Sequence, residues 1–344
     1  MTTEALFRAV QGEPVEREHA ARLLRTFAEG QSSTELLAAF LTALHIRGES
    51  AGALLGFVEV LREHMIPIDL GGIPAIDLCG TGGDGQHTVN LSTAAAFVVA
   101  AAGVPVAKHG NHGVSSRTGS ADVLEALGVP YKLGPAHVAD MVRRLDLGFI
   151  YAPAYHPLFA RIGPVRRLLG FRTAFNLLGP LCNPAGVSRQ VIGVPSSAAL
   201  QVVSEVVAEL GMERAMVLHT PGPYDEASLT AAAQAILVER GRRQALELPP
   251  EAFGAEPIEP ATLVGSDAEG NARRITAIFQ GERGPLADAV CANAACTFFV
   301  AGRAGDLREG FELARATLEQ GLALKKLRDA QAFVPQEASH VLAV

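Results

Sequence analysis

The chain has 344 residues, of which 49% are hydrophobic and 19% are charged, and its formal net charge is −7. This composition can bury a large core and excludes an intrinsically disordered chain. The acidic balance argues against a nucleic-acid-binding protein, but it is compatible with a local basic pocket for a small anion.

The cysteines form no C-x-x-C pair and have no zinc-ligand spacing with histidine, so we expect reduced cytosolic thiols. The longest apolar run, residues 94–106, contains Gly103 and Pro105 and is too short to cross a membrane. Residues 1–17 lack the apolar region of a signal peptide. The sequence therefore predicts a cytoplasmic protein with no membrane partner.

Residues 1–66 carry only helical patterns. Ser32 and Glu35 have the spacing of a capping box, and Gly30 and Gly48 are placed to end helices. Ser50 begins a further amphipathic run. The pattern predicts an N-terminal helical bundle.

After this bundle, short apolar runs alternate with helical runs. The predicted strands are residues 73–79, 104–107, 149–152, 191–194 and 215–218, with a hairpin at 233–247. The predicted helices include residues 92–102, 120–127, 286–300 and 307–327. This alternation predicts an α/β domain with a mostly parallel central sheet flanked by helices. We expect a helical domain at 1–70, completed by helices near 156–180, and an α/β domain at 71–344.

The first predicted strand leads into the glycine-rich segment Gly80-Thr81-Gly82-Gly83-Asp84-Gly85. Glycines let several backbone N–H groups converge on an anion at the carboxyl end of a strand. The segment also matches G-x-G-x-x-G, but no helix opens on its last glycine and the next strand leads into Lys108 instead of an acid. A dinucleotide site is therefore disfavoured, and an anion site is favoured over a simple turn.

A second polar segment, residues 108–120, follows the next predicted strand and should lie beside the first. It offers a cation, amides, hydroxyls and glycines, which together suit a phosphate group. Taken alone, Lys108 is typical of a surface lysine, and Ser120 of a helix N-cap. Two such segments at adjacent strand ends favour the phosphate site.

Several long motifs together resemble the anthranilate phosphoribosyltransferase family. They include Asp77-x-x-Gly80-Thr81-Gly82-Gly83-Asp84, Asn90-x-Ser92-Thr93, Lys108-His109-Gly110-Asn111, Gly119-Ser120-Ala121-Asp122, His156-Pro157, Pro164-Val165-Arg166-Arg167, Arg172-Thr173-x-Phe175-Asn176 and Asp225-Glu226. The resemblance implies a helical domain joined to an α/β domain, a homodimer and Mg²⁺ as cofactor. It also implies phosphoribosyl diphosphate (PRPP) and anthranilate as substrates.

The resemblance carries site residues over to this sequence. Those implied for PRPP are Gly80, Gly83, Asp84, Thr88, Asn90, Leu91, Ser92, Thr93, Lys108, His109, Gly110, Asn111, His112, Gly113, Val114, Ser115, Ser116 and Ser120. Those implied for anthranilate are Gly80, Asn111 and Arg166, and those implied for Mg²⁺ are Ser92, Asp225 and Glu226. We nominate no general base, because an aryl amine is already neutral at pH 7.

The sequence departs from the family pattern at a few positions. His112 stands where the family usually has arginine. The sequence leaves open whether its side chain faces PRPP or solvent. The run before Asp225-Glu226 contains Pro221 and Pro223, and residues 231–233 are all alanine where a Gly-Pro-Thr-like segment is common.

The acidic pair and the arginine also have ordinary explanations. Adjacent acids in a loop are usually solvated, but Mg²⁺ at a pyrophosphate needs hard oxygen ligands. An arginine in a helix is usually a surface residue, but its fork matches the anthranilate carboxylate.

Other functions stay open. A pyrimidine-nucleoside phosphorylase would carry a Lys-His-Ser-Thr-Gly-Gly type segment, which this sequence lacks. Two alternatives remain. One is a phosphoribosyltransferase that acts on another aromatic amine, and the other is a non-catalytic nucleic-acid-binding relative of the same fold.

Overall fold

The computed structural model describes residues 3–82, 87–113, 118–222 and 224–335. The N-terminal part is helical, as the sequence predicts, with α1 (Glu4–Gln11), α2 (Arg17–Ala28), α3 (Thr34–Arg47) and α4 (Ala51–His64). Ser50 caps α4 by accepting a hydrogen bond from the Ala53 N–H, and α3 ends at Gly48. The capping residue of α3 is Ser33, so the capping box predicted from Ser32 was wrong by one residue.

A seven-stranded sheet forms the centre of the molecule, in the order β3-β2-β1-β4-β5-β6-β7. Its strands are β1 (Ile76–Gly80), β2 (Val106–Gly110), β3 (Leu147–Tyr151), β4 (Arg189–Gly193), β5 (Arg214–His219), β6 (Ala233–Glu239) and β7 (Arg242–Leu248). Strands β1 to β5 pair in parallel, and β6 and β7 pair antiparallel at one edge. The predicted, mostly parallel sheet with its terminal hairpin is confirmed.

Helices cover both faces of this sheet. They are α5 (Leu91–Ala101), α6 (Ser120–Ala126), α7 (Pro135–Leu145), α8 (Ala152–Tyr155), α9 (Pro157–Leu169), α10 (Phe175–Leu178), a 3₁₀ turn (Pro180–Cys182), α11 (Ser197–Glu209), α12 (Pro250–Phe253), α13 (Pro260–Leu263), α14 (Ala268–Phe279), α15 (Pro285–Ala301), α16 (Leu307–Glu319) and α17 (Leu322–Gln331). The helix predicted over 307–327 is two helices, because Gly321 takes a left-handed φ of 69° between α16 and α17.

The core has two parts, one on each face of the sheet. On β5, Met216 packs with α5 and α15, whereas the next residue, Val217, packs with the N-terminal helices and α11. Strand residues point alternately to the two faces, so one strand serves both cores. Helix α9 adds Leu158 and Ile162 to the core of the N-terminal helices.

Within the described ranges, none of the helices has the length and apolar character needed to span a bilayer.

Candidate functional site

The candidate site lies at the carboxyl edge of the sheet, between β1 and β4. The chain runs from β1 outward to β2 and β3, and then returns to place β4 on the other side of β1. Such a reversal opens a crevice where ligands bind in open α/β sheets. Both strands end in glycine, and Gly80 pairs with Gly193 in the sheet.

These two glycines make room for an acidic pair that arrives from β5. A Cβ at Gly80 would lie 2.2 Å from Asp225 Oδ2, and a Cβ at Gly193 would lie 1.6 Å from the Asp225 carbonyl oxygen. The Gly82 N–H donates to Asp225 Oδ2 at 2.7 Å. Asp225 and Glu226 are each 8% exposed, so this pair is not solvated as adjacent acids in a loop usually are. Glycine at both strand ends lets the acids enter the crevice.

The Glu226 carboxylate lies at the start of α5. Its Oε1 accepts from the Ser92 N–H at 3.1 Å, and its Oε2 accepts from Thr88 Oγ1 at 3.4 Å. The positive end of a helix stabilises a carboxylate there. The structure therefore brings together the three residues predicted for Mg²⁺: Ser92, Asp225 and Glu226. The buried carboxylates of Asp225 and Glu226 are the hard oxygen donors that this ion prefers.

Lys108 is a buried residue of β2, where the sequence predicted a loop. Its side chain is 2% exposed, and Nζ donates to the Leu78 carbonyl and, at 3.3 Å, to Ser92 Oγ. His109 and Gly110 also belong to this strand, so the predicted start of the second polar segment was wrong. The ammonium group of Lys108 therefore lies beside Ser92, whose backbone N–H donates to Glu226.

A buried aspartate on β1 braces this part of the site. Asp77 accepts hydrogen bonds from Asn183 Nδ2 at 2.8 Å, Gln190 Nε2 at 3.0 Å and the His109 N–H at 3.2 Å. Burial raises the pKa of Asp77, and the nearby charge of Lys108 opposes that rise. Asp77 thus ties β1 to β2 and β4 beneath the crevice.

The segment after β2 folds back on the start of α6. Ser120 Oγ accepts from the Asn111 N–H at 3.1 Å, and a Cβ at Gly110 would meet this oxygen at 2.1 Å. Asp122 Oδ2 accepts from the N–H groups of Gly113 and Gly119, at 2.8 and 2.7 Å. Residues Asn111–Gly113 and Ser120 are therefore held close together, and their binding of a phosphate stays a prediction.

The His112 ring is directed at Asp122. Its Nδ1 lies 2.6 Å from Asp122 Oδ1, and its side chain is 34% exposed. Burial raises the pKa of Asp122, but the hydrogen bonds from Gly113, Gly119 and His112 together bring it below its usual value. The contact of His112 with PRPP stays a prediction.

Part of the predicted PRPP set lies outside the described residues, namely Gly83, Asp84, Val114, Ser115 and Ser116. Of the others, Leu91 and Thr93 are buried in the first turn of α5, and Asn90 immediately precedes that helix.

Arg166 lies on α9 and is partly buried. Its Nη2 donates to Asn176 Oδ1 at 3.3 Å, and this oxygen also accepts from the Thr173 N–H at 3.0 Å. Burial lowers the pKa of Arg166. Among the described residues, its hydrogen bonds do not join it to Gly80 or Asn111, the other two residues predicted for anthranilate.

Two buried histidines face each other near the same crevice. The rings of His109 and His156 have centroids 5.1 Å apart, and the side chains are 6% and 2% exposed. His109 Nδ1 lies 3.0 Å from the Gly179 carbonyl. Within the described residues, His109 Nε2 lacks a hydrogen-bond partner, whereas the His156 ring lies close to the backbone of Cys182. Burial lowers the pKa of His109 to about 3 and that of His156 to about 4.

We expect these histidines to make the fold sensitive to acid. In the unfolded chain both residues bind a proton near pH 6.5, the ordinary pKa being about 6.5. The folded protein accepts these protons only nearer pH 3–4. The unfolded state therefore binds more protons between these values, so the free energy of unfolding is highest above about pH 6.5 and falls as the pH drops toward about 4.

Thermal unfolding from about pH 7.5 to about pH 4.5 measures this effect. His156→Gln should lose less stability on acidification than the wild type, whereas His45→Gln, which changes an exposed histidine, should follow the wild type. Equal acid slopes in all three proteins would show that His156 does not contribute.

Sequence reasoning missed Gly193, Asp77 as a brace, and two buried asparagines, Asn271 and Asn293. Asn293 on α15 accepts from the Ala227 N–H at 3.2 Å and donates to the Ala227 carbonyl at 3.1 Å, directly after the acidic pair. Of these four residues, only Gly193 had a local sequence signal for a site, because this glycine follows a run of apolar residues predicted as a strand.

Fold and site together define a transferase with a helical bundle joined to an α/β domain. The family described as the glycosyl transferase family matches the chain twice, its helical bundle domain at residues 3–65 and its a/b domain at residues 72–324.

Individual relatives give a narrower assignment. The anthranilate phosphoribosyltransferase of Thermomicrobium roseum is 46% identical over 333 residues, which cover 95% of each chain. That of Pyrobaculum arsenaticum is 43% identical and covers 96% of this chain and 98% of its own. The Thermus thermophilus protein of this name, known from its crystal structure, is 40% identical, with a TM-score of 0.89, and covers 96% of this chain and 98% of its own. The chain belongs to the anthranilate phosphoribosyltransferase family.

A more distant structure shows the same fold. The anthranilate phosphoribosyltransferase of Saccharomyces cerevisiae, in complex with PRPP and Mg, is 23% identical, has a TM-score of 0.86 and covers 96% of each chain.

Proposed function

We propose that this protein transfers the phosphoribosyl group of PRPP to the amine of anthranilate, giving N-(5-phosphoribosyl)anthranilate and pyrophosphate in tryptophan biosynthesis. The observation that carries this proposal is the buried acidic pair Asp225-Glu226, which sits over two strand-end glycines beside the buried Lys108. This arrangement suits a metal-bound diphosphate, and it occurs in a chain whose relatives are anthranilate phosphoribosyltransferases.

In this proposal the diphosphate is held by backbone and side-chain donors. The Gly80 turn, Thr88, the α5 start at Asn90–Thr93, and residues Lys108–Gly113 and Ser120 would bind PRPP, together with Gly83, Asp84 and Val114–Ser116. Lys108 and the N–H groups at the start of α5 would stabilise the charge that develops on the departing pyrophosphate.

Ser92, Asp225 and Glu226 would hold Mg²⁺, which when bound neutralises charge on the diphosphate oxygens. The hydrogen bonds from Gly82 and Ser92 to these carboxylates support this assignment, because they fix both acids within the crevice. The residues position the substrate for displacement at C1, and that positioning is the larger part of the catalysis we propose.

Arg166, Asn111 and Gly80 would bind anthranilate. The guanidinium can form two parallel hydrogen bonds to a carboxylate. The amine needs no general base because it is neutral at pH 7. We further propose that the helical domain, residues 1–70 with the helices near 156–180, closes on the α/β domain, residues 71–344, and excludes water from PRPP.

The loss of anthranilate fluorescence on adding PRPP and Mg²⁺ tests the activity directly. Consumption of anthranilate in preference to a series of other aromatic amines is the expected result. Preferred consumption of another amine would show a different acceptor, and no consumption of any amine would overturn the proposal.

We also propose a cytoplasmic homodimer that forms through the N-terminal helices. Phe7 and Val10 on α1, Ile46 at the end of α3 and Leu168 on α9 are 63%, 57%, 73% and 83% exposed. Helix α3 contacts both α1 and α9, so these apolar side chains occupy adjoining helices. A group of exposed apolar side chains of this kind favours association.

Sedimentation velocity should give twice the chain mass of 36.0 kDa. The double variant Phe7→Glu, Ile46→Glu should shift the protein to the monomer, because both substitutions put charge on the proposed interface. A matched change at the opposite end of the chain, Val334→Glu, also alters an exposed apolar residue and should leave the mass unchanged. A monomeric wild type would contradict the proposal.

A further inference from the structure

Asn271, on α14, is completely buried, and both ends of its amide group are hydrogen-bonded to neighbours. Its Oδ1 accepts from the Ser266 N–H at 2.8 Å. Its Nδ2 donates to Asn90 Oδ1 at 3.1 Å and to Thr118 Oγ1 at 2.9 Å. The two donor contacts lead from α14 directly to segments of the proposed PRPP site.

Asn271 differs from the other buried residues of its helix, which are apolar. Its helix also buries Ala272, Ile275, Ile278 and Phe279 in the core. A buried amide adds little net stability over an apolar residue of similar shape, but it is costly when one of its partners is removed. Packing alone therefore does not explain an asparagine at this position, and its directional hydrogen bonds do.

Asn271 completes a ring of three polar side chains. Asn90 Nδ2 also donates to the Thr118 carbonyl at 3.4 Å, and Thr118 Oγ1 lies 3.5 Å from Asn90 Oδ1. Asn90 immediately precedes α5, whereas Thr118 precedes the turn into α6 at Ser120. The ring thus links the two segments that carry most of the proposed PRPP residues.

The start of α14 is itself tied to the first of these segments. The Gly265 N–H donates to the His87 carbonyl at 2.7 Å, and the Val89 N–H donates to the Leu263 carbonyl at 2.9 Å. The segment that leads into α14 is therefore hydrogen-bonded to residues 87–89, directly before Asn90, and Asn271 contacts Asn90 from this helix.

The hydrogen bonds also set the direction of the Asn90 amide. Because Asn271 donates, the atom of Asn90 that faces it must be the oxygen, and the Asn90 Nδ2 group is turned the other way. That group carries two N–H donors, and the Thr118 carbonyl uses one of them. Among the described residues, none accepts from the second, which suits an anion, since an anion accepts hydrogen bonds.

We infer that Asn271 is a positioning residue for PRPP, which fixes the amide of Asn90 and holds the two phosphate segments together. This inference rests on the proposed function, in which Asn90 binds PRPP. Asn271 itself lies behind Asn90 and touches no reacting atom.

The test is the variant Asn271→Ala, assayed with PRPP, anthranilate and Mg²⁺. Loss of one or two hydrogen bonds to Asn90 and Thr118 should raise the PRPP KM about 10-fold and leave the anthranilate KM unchanged. Asn271→Asp, nearly the same shape, should raise it further, because a carboxylate oxygen would then face the Asn90 oxygen. This second variant also keeps the test available if the alanine variant folds poorly.

The matched control is Ile275→Ala, one turn further along α14 and also completely buried. It should lower the melting temperature at least as much as Asn271→Ala but leave the PRPP KM at the wild-type value. If Ile275→Ala raises the PRPP KM to the same extent, Asn271 acts only through general stability and the inference fails.

The variant Asn90→Ala separates this inference from the proposed function. An unchanged PRPP KM in Asn90→Ala would overturn the assignment of Asn90 to PRPP. If Asn90→Ala raises the KM, then Asn271→Ala should add less in that background than in the wild type, because only its hydrogen bond to Thr118 is still there to be lost. Equal effects of Asn271→Ala in the two backgrounds, or no effect in the wild type, would overturn the inference alone.

Discussion

Glu226→Gln should lower kcat about 100-fold or more, the usual scale for losing a group that stabilises transition-state charge. The carboxylate is buried and accepts hydrogen bonds from the Ser92 N–H and Thr88 Oγ1. A glutamine oxygen can keep one of these contacts, so the fold should survive. The amide cannot supply the negative charge needed to hold Mg²⁺, so the rate should fall and the Mg²⁺ concentration for half-maximal rate should rise.

Steady-state rates over a Mg²⁺ titration measure this effect, with the anthranilate KM as an internal reference that should change little. Glu213→Gln is the matched control, since Glu213 is paired with Arg189 at 2.7 Å on the surface. Its loss should leave both the rate and the Mg²⁺ dependence unchanged. A wild-type rate and Mg²⁺ dependence in Glu226→Gln would remove Glu226 from the metal site.

The parts of the site that could be predicted are those with a local signal. The turn at Gly80 follows an apolar strand, and the acidic pair follows another, so the order of elements alone places both at the carboxyl edge of the sheet. The structure shows that the two meet between β1 and β4, where the Gly82 N–H donates to Asp225.

Burial of charge was not predictable in the same way. Lys108 and His109 are polar residues that suggest the end of a strand, but both belong to β2. Lys108 Nζ and His109 Nδ1 contact the carbonyl groups of the distant residues Leu78 and Gly179, and no short-range pattern reports such partners. The same holds for Asn271, whose partners Asn90 and Thr118 lie 181 and 153 positions away in the chain.

If Arg166 binds the anthranilate carboxylate as proposed, Arg166→Ala should raise the anthranilate KM by about 30-fold or more. Losing one partner of a desolvated, charge-assisted pair typically costs about 2–5 kcal/mol. The side chain is partly buried on α9 and held by Asn176, whose oxygen keeps its hydrogen bond from Thr173 when the arginine is removed. The fold around α9 should therefore remain, and the PRPP KM should be nearly unchanged.

The neighbouring Arg167 is exposed on the same helix and provides the matched control. Arg167→Ala should leave both KM values at the wild-type level, because its charge is screened by solvent. Arg166→Lys keeps a positive charge but loses the planar fork, so its anthranilate KM should fall between the wild type and Arg166→Ala. A defect of Arg166→Ala that appears mainly in the PRPP KM would place this guanidinium at the diphosphate instead of the acceptor. Equal defects in Arg166→Ala and Arg167→Ala would instead mean that the helix contributes only a general positive field.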